Sequence, residues 1–269
     1  MKITQGVRVL ITGGASGLGK IMGRLVLAKG AKLILWDIDR LKLDETIAEF
    51  KHLGQVEGFL VDVSDLAQIN NAAMQVKQSF GKVDVLINNA GIVVGKFFHE
   101  HSPDDIAKTM SVNSNALMYV TLSFLSEMLL DNSGHICNIS SSAGLISNPK
   151  MSVYAASKWA ATGWSDSLRL EMQMLKYKVR VTTVTPYYIN TGMFDGVRSL
   201  VPILNPEKVA KKIIRGIERD KIYVSMPWSM HFVRFGQGVM PIWLFDWLIG
   251  GVLGIYSTMA HFKGHNKNL

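Results

Sequence analysis

The stretch 7-VRVLITGGASGLGK-20 joins two hydrophobic periodicities across a run of glycines. Residues 7–12 are mostly apolar and β-branched, as in a strand buried on both faces. From 17 to 29 the apolar residues recur at helical intervals, so a strand passes through a glycine turn directly into a helix. The same alternation continues outward. Strand-like runs fall at 31–37, 56–63, 83–88, 135–140, 179–184 and 222–226. Helical patterns separate them at 41–53, 65–80, 103–131 (one or two helices), 152–176 and 206–219, the last opened by Asn205-Pro206-Glu207. Apolar strands separated by helices require a parallel sheet covered on both faces. The expected fold is α/β, a doubly wound parallel sheet of about seven strands.

The glycine turn has a physical use beyond connection. Gly13, Gly17 and Gly19 follow a G-x-x-x-G-x-G spacing, which differs from the commoner G-x-G-x-x-G. Gly13 permits a tight turn. Gly17, with Ser16 and Leu18 beside it, lets the backbone approach a pyrophosphate, and Gly19 allows close helix–strand packing. The helix then presents unpaired N–H groups to the anion. A plain loop is the bland alternative. Asp37 ends the second strand 18 residues after Gly19, near the spacing for a carboxylate that binds adenosine ribose hydroxyls. A carboxylate there also repels a 2′-phosphate, which favours NAD over NADP, although Arg40 leaves a minor route to NADP. Asp37 as a simple cap of the following turn is the structural alternative.

Composition narrows the class. With 48% hydrophobic and 19% charged residues over 269 positions, the chain is globular and can bury a full core. Its net charge of +8 is scattered, without the dense basic runs of a nucleic-acid reader, so no nucleic-acid partner is expected. The lone Cys137 sits in an apolar run, permits no internal disulfide, and fits a reducing cytoplasm. With six residues before the first strand, no signal peptide or N-terminal anchor is expected. His99 and His101 flank Glu100, but no second cluster completes a metal site, so no metal is expected. No G-x-S-x-G elbow supports a serine hydrolase.

Residues 153–161, VYAASKWAA, set Tyr154 and Lys158 four positions apart on one helical face. NNAG (88–91) closes the fourth strand, Asn113 lies in SVNSNA, and NISSSAG (138–144) closes the fifth. Together with TGGASGLG and YAASK, these motifs resemble the short-chain dehydrogenase/reductase family over about residues 5–195. LITGGASGLG with LILWDID looks most like the branch acting on retinol, hydroxysteroids and other lipophilic alcohols.

The resemblance implies a site. Tyr154 would exchange the hydroxyl proton. A free tyrosine, with a pKa of about 10, is a poor base near neutrality, and the Lys158 cation would favour its phenolate. By resemblance Lys158 also holds the nicotinamide ribose. Ser141, 13 residues before Tyr154, matches the serine that hydrogen-bonds the reacting oxygen; Ser140 and Ser142 flank it, and the family interval selects Ser141. Asn113 matches the residue that holds a relay water, or it kinks or caps a helix. Asp62 and Val63 match the pair bracketing the adenine, and Asn89, Ala90 and Gly91 line its other side. Asn88 and Asn89 serve equally well as braces of the sheet. Pro186, Ile189 and Thr191 match cofactor contacts, but Tyr187 replaces the family's glycine. That departure predicts shifted contacts at the nicotinamide end, or a tyrosine covering the substrate mouth.

The resulting expectation is an NAD-dependent oxidoreductase interconverting a lipophilic alcohol and its carbonyl. An NAD-binding regulator without turnover and a reductase of a small polar carbonyl are the rivals. The resemblance implies a homodimer or homotetramer built on helices 103–131 and 152–176. Residues 1–226 read as the dinucleotide-binding and catalytic domain, and 227–269 as an apolar helical extension. Between 235 and 260 the only charge is Asp246, and Trp243, Phe245, Trp247 and Tyr256 add aromatic weight. This extension is expected to pack on the same domain, on a partner subunit or in a membrane interface. In the last case Trp228, Trp243 and Trp247 would lie at headgroup depth and Lys263 and Lys267 near anionic lipid.

Overall fold

A computed structural model describes residues 1–263; Lys267 lies outside the described residues. Seven strands form one parallel sheet: β1 (Arg8–Thr12), β2 (Lys32–Asp37), β3 (Val56–Leu60), β4 (Val85–Asn88), β5 (Gly134–Ile139), β6 (Val179–Pro186) and β7 (Tyr223–Met226). Their order is β3-β2-β1-β4-β5-β6-β7. The order reverses between β1 and β4, so a crevice opens there at the carboxyl ends of the strands.

Side-chain alternation divides the core. Val9 and Ile11 of β1 and Leu33 and Leu35 of β2 face α1 (Gly17–Leu27), α2 (Arg40–Phe50) and the later helix α7 (Pro206–Glu218). Leu10, Ile34 and Trp36 face the opposite layer. That layer contains α3 (Leu66–Phe80), α5 (Ala116–Leu130) and α6 (Ser152–Met174). Burial on both faces explains why the strands read as continuous apolar runs rather than alternating ones.

Local chemistry sets the helix starts. Asp39, Asp65 and Asn205 each accept a backbone N–H at the head of α2, α3 and α7. Ser102 and Asp105 form a reciprocal capping box, with a proline at the first helical turn, at the start of α4 (Pro103–Met110). The 103–131 segment is not uniform. A π turn, Ser111–Asn115, separates α4 from α5 and carries Asn113 at its centre.

After β7 the chain forms short pieces instead of one helix. These are a 3-10 turn (Trp228–Phe232), α8 (Val233–Val239), α9 (Ile242–Asp246), a π turn (Trp247–Val252) and a 3-10 turn (Ile255–Ser257). Pro241 has no N–H to continue α8, and Gly254 turns left-handed at φ +62°. Among the described residues, no helix is long and apolar enough to cross a membrane. Met230, Val233, Phe245, Ile249, Ile255 and Met259 pack inward with Tyr154, Tyr187 and Tyr188 in a third core cluster. Trp228, Phe235, Ile242, Trp243 and Trp247 point outward and are largely exposed.

Candidate active site

A cleft of about 460 Å³ runs across the crevice from the glycine turn to α6. Its first end is made of backbone. Gly13 has φ +61°, and a Cβ there would stand 2.9 Å from Ala90 Cα. At Gly19 a Cβ would stand 2.1 Å from the Gly13 carbonyl oxygen, so α1 can meet the turn only through glycine. Ser16, Gly17 and Leu18 line the cleft, and the Ser16 hydroxyl is not consumed in capping α1. Gly17, at φ +49°, lies against Thr191.

Asp37 performs two tasks. Its Oδ2 accepts from Ala15 N at 2.9 Å and its Oδ1 from Asp39 N at 3.1 Å, while the residue still lines the cleft. Capping and cleft-lining therefore coexist. Arg40 is not among the residues lining the cleft and stands 3.8 Å from Asp44. Asp62 and Val63 line the opposite side, with Asp62 Oδ1 accepting from the Ser64 N–H and hydroxyl.

Asn89, Ala90 and Gly91 complete this end. Asn89 Nδ2 donates to the carbonyls of Thr12 and Gly13, both at 3.0 Å. Thr12 Oγ1 accepts from Asn89 N and Ala90 N in return. Thr12 thus pins the crevice, a role that the motif spacing alone did not reveal. Asn88 braces the sheet, donating to Thr121 Oγ1 and Asn138 Oδ1.

The second end belongs to side chains. Tyr154 and Lys158 share one face of α6, with Nζ 5.7 Å from the ring centroid. Lys158 Nζ donates to the Ile139 carbonyl at 3.0 Å. Burial pushes the Tyr154 phenol up to about 12, opposed by the neighbouring Ser141 hydroxyl, and pulls the Lys158 ammonium down to about 8. The phenol is therefore neutral near pH 7, and the lowering expected from Lys158 is not seen: burial dominates, and the ammonium lies 5.7 Å from the ring centroid and donates to Ile139 O instead.

Geometry separates the three serines. Ser140 Oγ is tied to the Lys158 carbonyl and to Thr162 Oγ1. Ser142 begins the next turn, and the Ser141 hydroxyl stands at the cleft beside Tyr154. Asn113 reaches the site from behind. Its Nδ2 donates to Ile92 O and Ser157 Oγ, and its Oδ1 accepts from Ile92 N. A Cβ on Gly91 would lie 3.3 Å from Asn113 Oδ1 and 3.7 Å from Lys158 Nζ, so the two side chains converge there.

Pro186, Ile189 and Thr191 all line the cleft. Tyr187 needs no glycine-like backbone, since it is absent from the positive-φ residues Asn132, Lys150, Lys176 and Asp220. Its hydroxyl meets Ser199 Oγ at 2.8 Å, and its body forms part of the wall. Phe194, which the motifs did not mark, stands edge-on to Tyr154 at 6.0 Å and to Tyr188 at 5.0 Å. Among the described residues, no group of three His, Cys, Asp or Glu could hold a metal.

This arrangement can bind an elongated dinucleotide along backbone amides and exchange a proton at its far end. Comparisons agree. A family model described as "short chain dehydrogenase" matches residues 7–200. The chain is 38% identical to mouse epidermal retinol dehydrogenase 2 over 99% of its length and 88% of that protein. It is 35% identical to human estradiol 17-beta-dehydrogenase 11 over 89% of its length and 81% of that protein. A Burkholderia phymatum short-chain dehydrogenase/reductase solved with NAD superposes with TM-score 0.81 at 27% identity, covering 88% of this chain and 95% of the other. A metagenomic short-chain oxidoreductase solved with NADP gives 0.71 at 27% identity, over 83% and 96%.

Proposed function

The chain belongs to the short-chain dehydrogenase family, and from that premise we propose that it is an NAD-dependent oxidoreductase of lipophilic alcohols and their carbonyls. Retinol-, steroid- and fatty-alcohol-like molecules are the substrate class. The observation that carries this reading is the convergence of Tyr154, Lys158 and Ser141 on one cleft wall, at the far end from the glycine turn.

The residues present fit a dinucleotide. Gly13 and Gly19 let the turn, Ala90 and the head of α1 pack more closely than a Cβ would allow, Ser16 keeps its hydroxyl at the cleft, and the Asp37 carboxylate lies on the cleft wall, where it would meet a ribose. Bound there, NAD supplies the acceptor or donor of the hydride. Asp37 favours a free 2′-hydroxyl, since a second negative charge beside it is repelled. In the direction of reduction Tyr154 donates its proton to the developing alkoxide, and burial keeps that proton available at neutral pH. In oxidation it receives the substrate's proton as phenolate. Ser141 orients the reacting oxygen. Lys158, anchored on Ile139 O, would offset part of the cost of burying the phenolate as it forms and would hold the nicotinamide ribose. Asn113 holds Ile92 and the approach to Lys158, where a relay water would connect to solvent. Val93, Tyr187, Met193 and Phe194 give the substrate end an apolar wall.

The test is a panel of alcohols graded by chain length, offered with NAD and with NADP and followed by the absorbance of reduced nicotinamide. Faster oxidation of longer alcohols with NAD supports the reading. Dinucleotide binding with no turnover of any alcohol or carbonyl would instead mark a regulator.

The outward tryptophans Trp228, Trp243 and Trp247 further support a peripheral membrane contact for a cytoplasmic protein, through which a lipophilic alcohol reaches the cleft without crossing water. Flotation with anionic liposomes checks this, comparing the full chain with a Trp243→Ser/Trp247→Ser variant. Exposed Leu122 of α5 and Trp159, Leu170 and Met174 of α6 favour a homodimer or homotetramer on those helices, measurable by sedimentation.

A further inference from the structure

Helix α7 and the segment after it carry a charge imbalance that the cleft does not use. From Lys208 to Phe245 the chain has seven lysines and arginines against two acids, Glu218 and Asp220. Both acids are engaged elsewhere. Glu218 pairs with Lys29 at 3.0 Å, Asp220 lies 3.5 Å from the buried His135, and Glu207 at the head of α7 meets Arg24 of α1. The flank of α7 toward α1 is thus neutralised. Lys208, Lys212 and Arg215 stand at i, i+4 and i+7, an exposed stripe with Lys211 beside it. Among the described residues, none of these four pairs with an acid.

The stripe joins the tail at one edge of the sheet. β7 is the last strand in the order, so one side of it has no strand neighbour. Ile222 O and Met226 O accept from Thr183 N and Tyr187 N on the β6 side, so Ser225 O points to the open edge. Lys212 Nζ donates to Ser225 O at 3.3 Å. Two residues back along the strand, the Tyr223 ring carries the Arg234 guanidinium at 4.8 Å, and its hydroxyl accepts from Arg234 at 3.0 Å. A cation from α7 and one from α8 therefore meet on the same edge strand. Near Arg234 along the tail, Trp228, Phe232 and Phe235 are exposed, with Trp228 edge-on to Phe232 at 5.5 Å. Cations and aromatic rings share this rim.

We infer that this rim docks on an anionic phospholipid bilayer. The α7 stripe and Arg234 pair with the headgroup anions, and Trp228, Phe232 and Phe235 enter the interface. The inference rests on the peripheral membrane contact read from the outward tryptophans, and it names the lipid charge and a second element, α7, that reads it. A second copy of the chain is the competing occupant. A twofold interface there would set the stripe against itself, cation on cation. An anionic surface instead neutralises every member of the row, while the rings beside it sit at headgroup depth.

The probes are vesicles of phosphatidylcholine alone and vesicles that also carry about 30 mol% phosphatidylserine, titrated against the full chain and read by flotation. The anionic vesicles are expected to bind at least about tenfold more strongly at low salt, and about 0.5 M NaCl should erase the difference. Lys208→Gln/Lys211→Gln/Arg215→Gln leaves Lys212 on Ser225 O and touches nothing in the cleft. It should lose about tenfold or more of the anionic binding, since each cation near such a surface is worth about fivefold. Dinucleotide affinity, measured beside it, should not change. Trp228→Ser/Phe235→Ser should instead weaken binding to both kinds of vesicle. Equal uptake by the two vesicles would overturn the inference and leave the tryptophan contact standing, whereas uptake by neither would remove both. Anionic binding undiminished in the glutamine variant would also overturn it. So would an oligomer that falls apart in that variant on sedimentation, which would give the stripe to a second copy. The vesicle and salt comparison uses the unaltered protein and does not depend on any variant folding.

Discussion

The two ends of the cleft are built by different means. At the glycine turn the wall is backbone: Gly13 and Gly19 permit close packing with Ala90 and within the turn, and Asp37 and Asn89 tie the turn to its neighbours. At the substrate end it is made of rings and methionines. Phe194 leans on Tyr154, Tyr188 and Phe262, and the pieces come from residues 141–151, 187–204 and 255–263. A backbone site tolerates almost no added atom. A side-chain site tolerates substitution and changes its selectivity instead. The first end is thus suited to one invariable ligand and the second to divergence.

The sharpest separation comes at the junction. Tyr154→Phe removes the proposed proton carrier and nothing of the turn, so turnover should fall by about 10²–10⁴-fold with NAD affinity within a few-fold. Lys158→Ala should damage both. Retention of more than about a tenth of the rate in the phenylalanine variant would show that another group moves the proton. The same phenol sets the pH dependence. With its pKa raised to about 12, the phenolate needed for oxidation grows with pH. Oxidation should therefore accelerate by up to about tenfold per unit between about pH 6 and 8, while reduction, which uses the neutral phenol, stays flat.

Gly19→Ala probes the backbone end. Its methyl would meet the Gly13 carbonyl oxygen at 2.1 Å, forcing the turn and α1 apart. A loss of roughly 1–3 kcal/mol in stability and a comparable loss of dinucleotide binding are expected, seen by denaturant titration and calorimetry. Normal binding in that variant would break the contrast between the two ends.

Asp37→Ser is milder, because Ser keeps an acceptor. The ratio of kcat/KM with NAD to that with NADP should drop by about tenfold, as one charged hydrogen-bonding contact is exchanged for a neutral one. An unaltered protein already faster with NADP would remove Asp37 as the determinant.

The smallest change is expected at the periphery of the substrate end. Phe262 packs on Phe194 and fills the space over Gly95. Phe262→Ala should raise KM for long-chain alcohols by roughly threefold to tenfold, the scale of lost apolar contact in a pocket, and leave NAD affinity untouched. A matching loss of NAD affinity would mean that the two ends are not independent.

The sequence by itself determined the sheet, the order of its elements, and the polar residues along the cofactor end. Those depend on short intervals: a strand, a glycine turn, an i,i+4 pair and a carboxylate at a strand end. Each is fixed by bonds between near neighbours and survives as a pattern. One boundary needed small correction, since 56–63 leaves the sheet at Leu60, while 103–131, read as one or two helices, is two joined by a π turn around Asn113. Tertiary structure decided the rest. Only packing showed that Ser140 turns inward while Ser141 faces the cleft, that Tyr187 needs no left-handed backbone, and that Thr12 pins the crevice. It also decided that the tail breaks into short turns whose inner face packs in one cluster with Tyr154, Tyr187 and Tyr188 while the tryptophans stay outside. The physical reason is distance along the chain. Asn148 meets Thr258 across 110 residues, and no local periodicity records a contact that exists only after the sheet has brought its loops together.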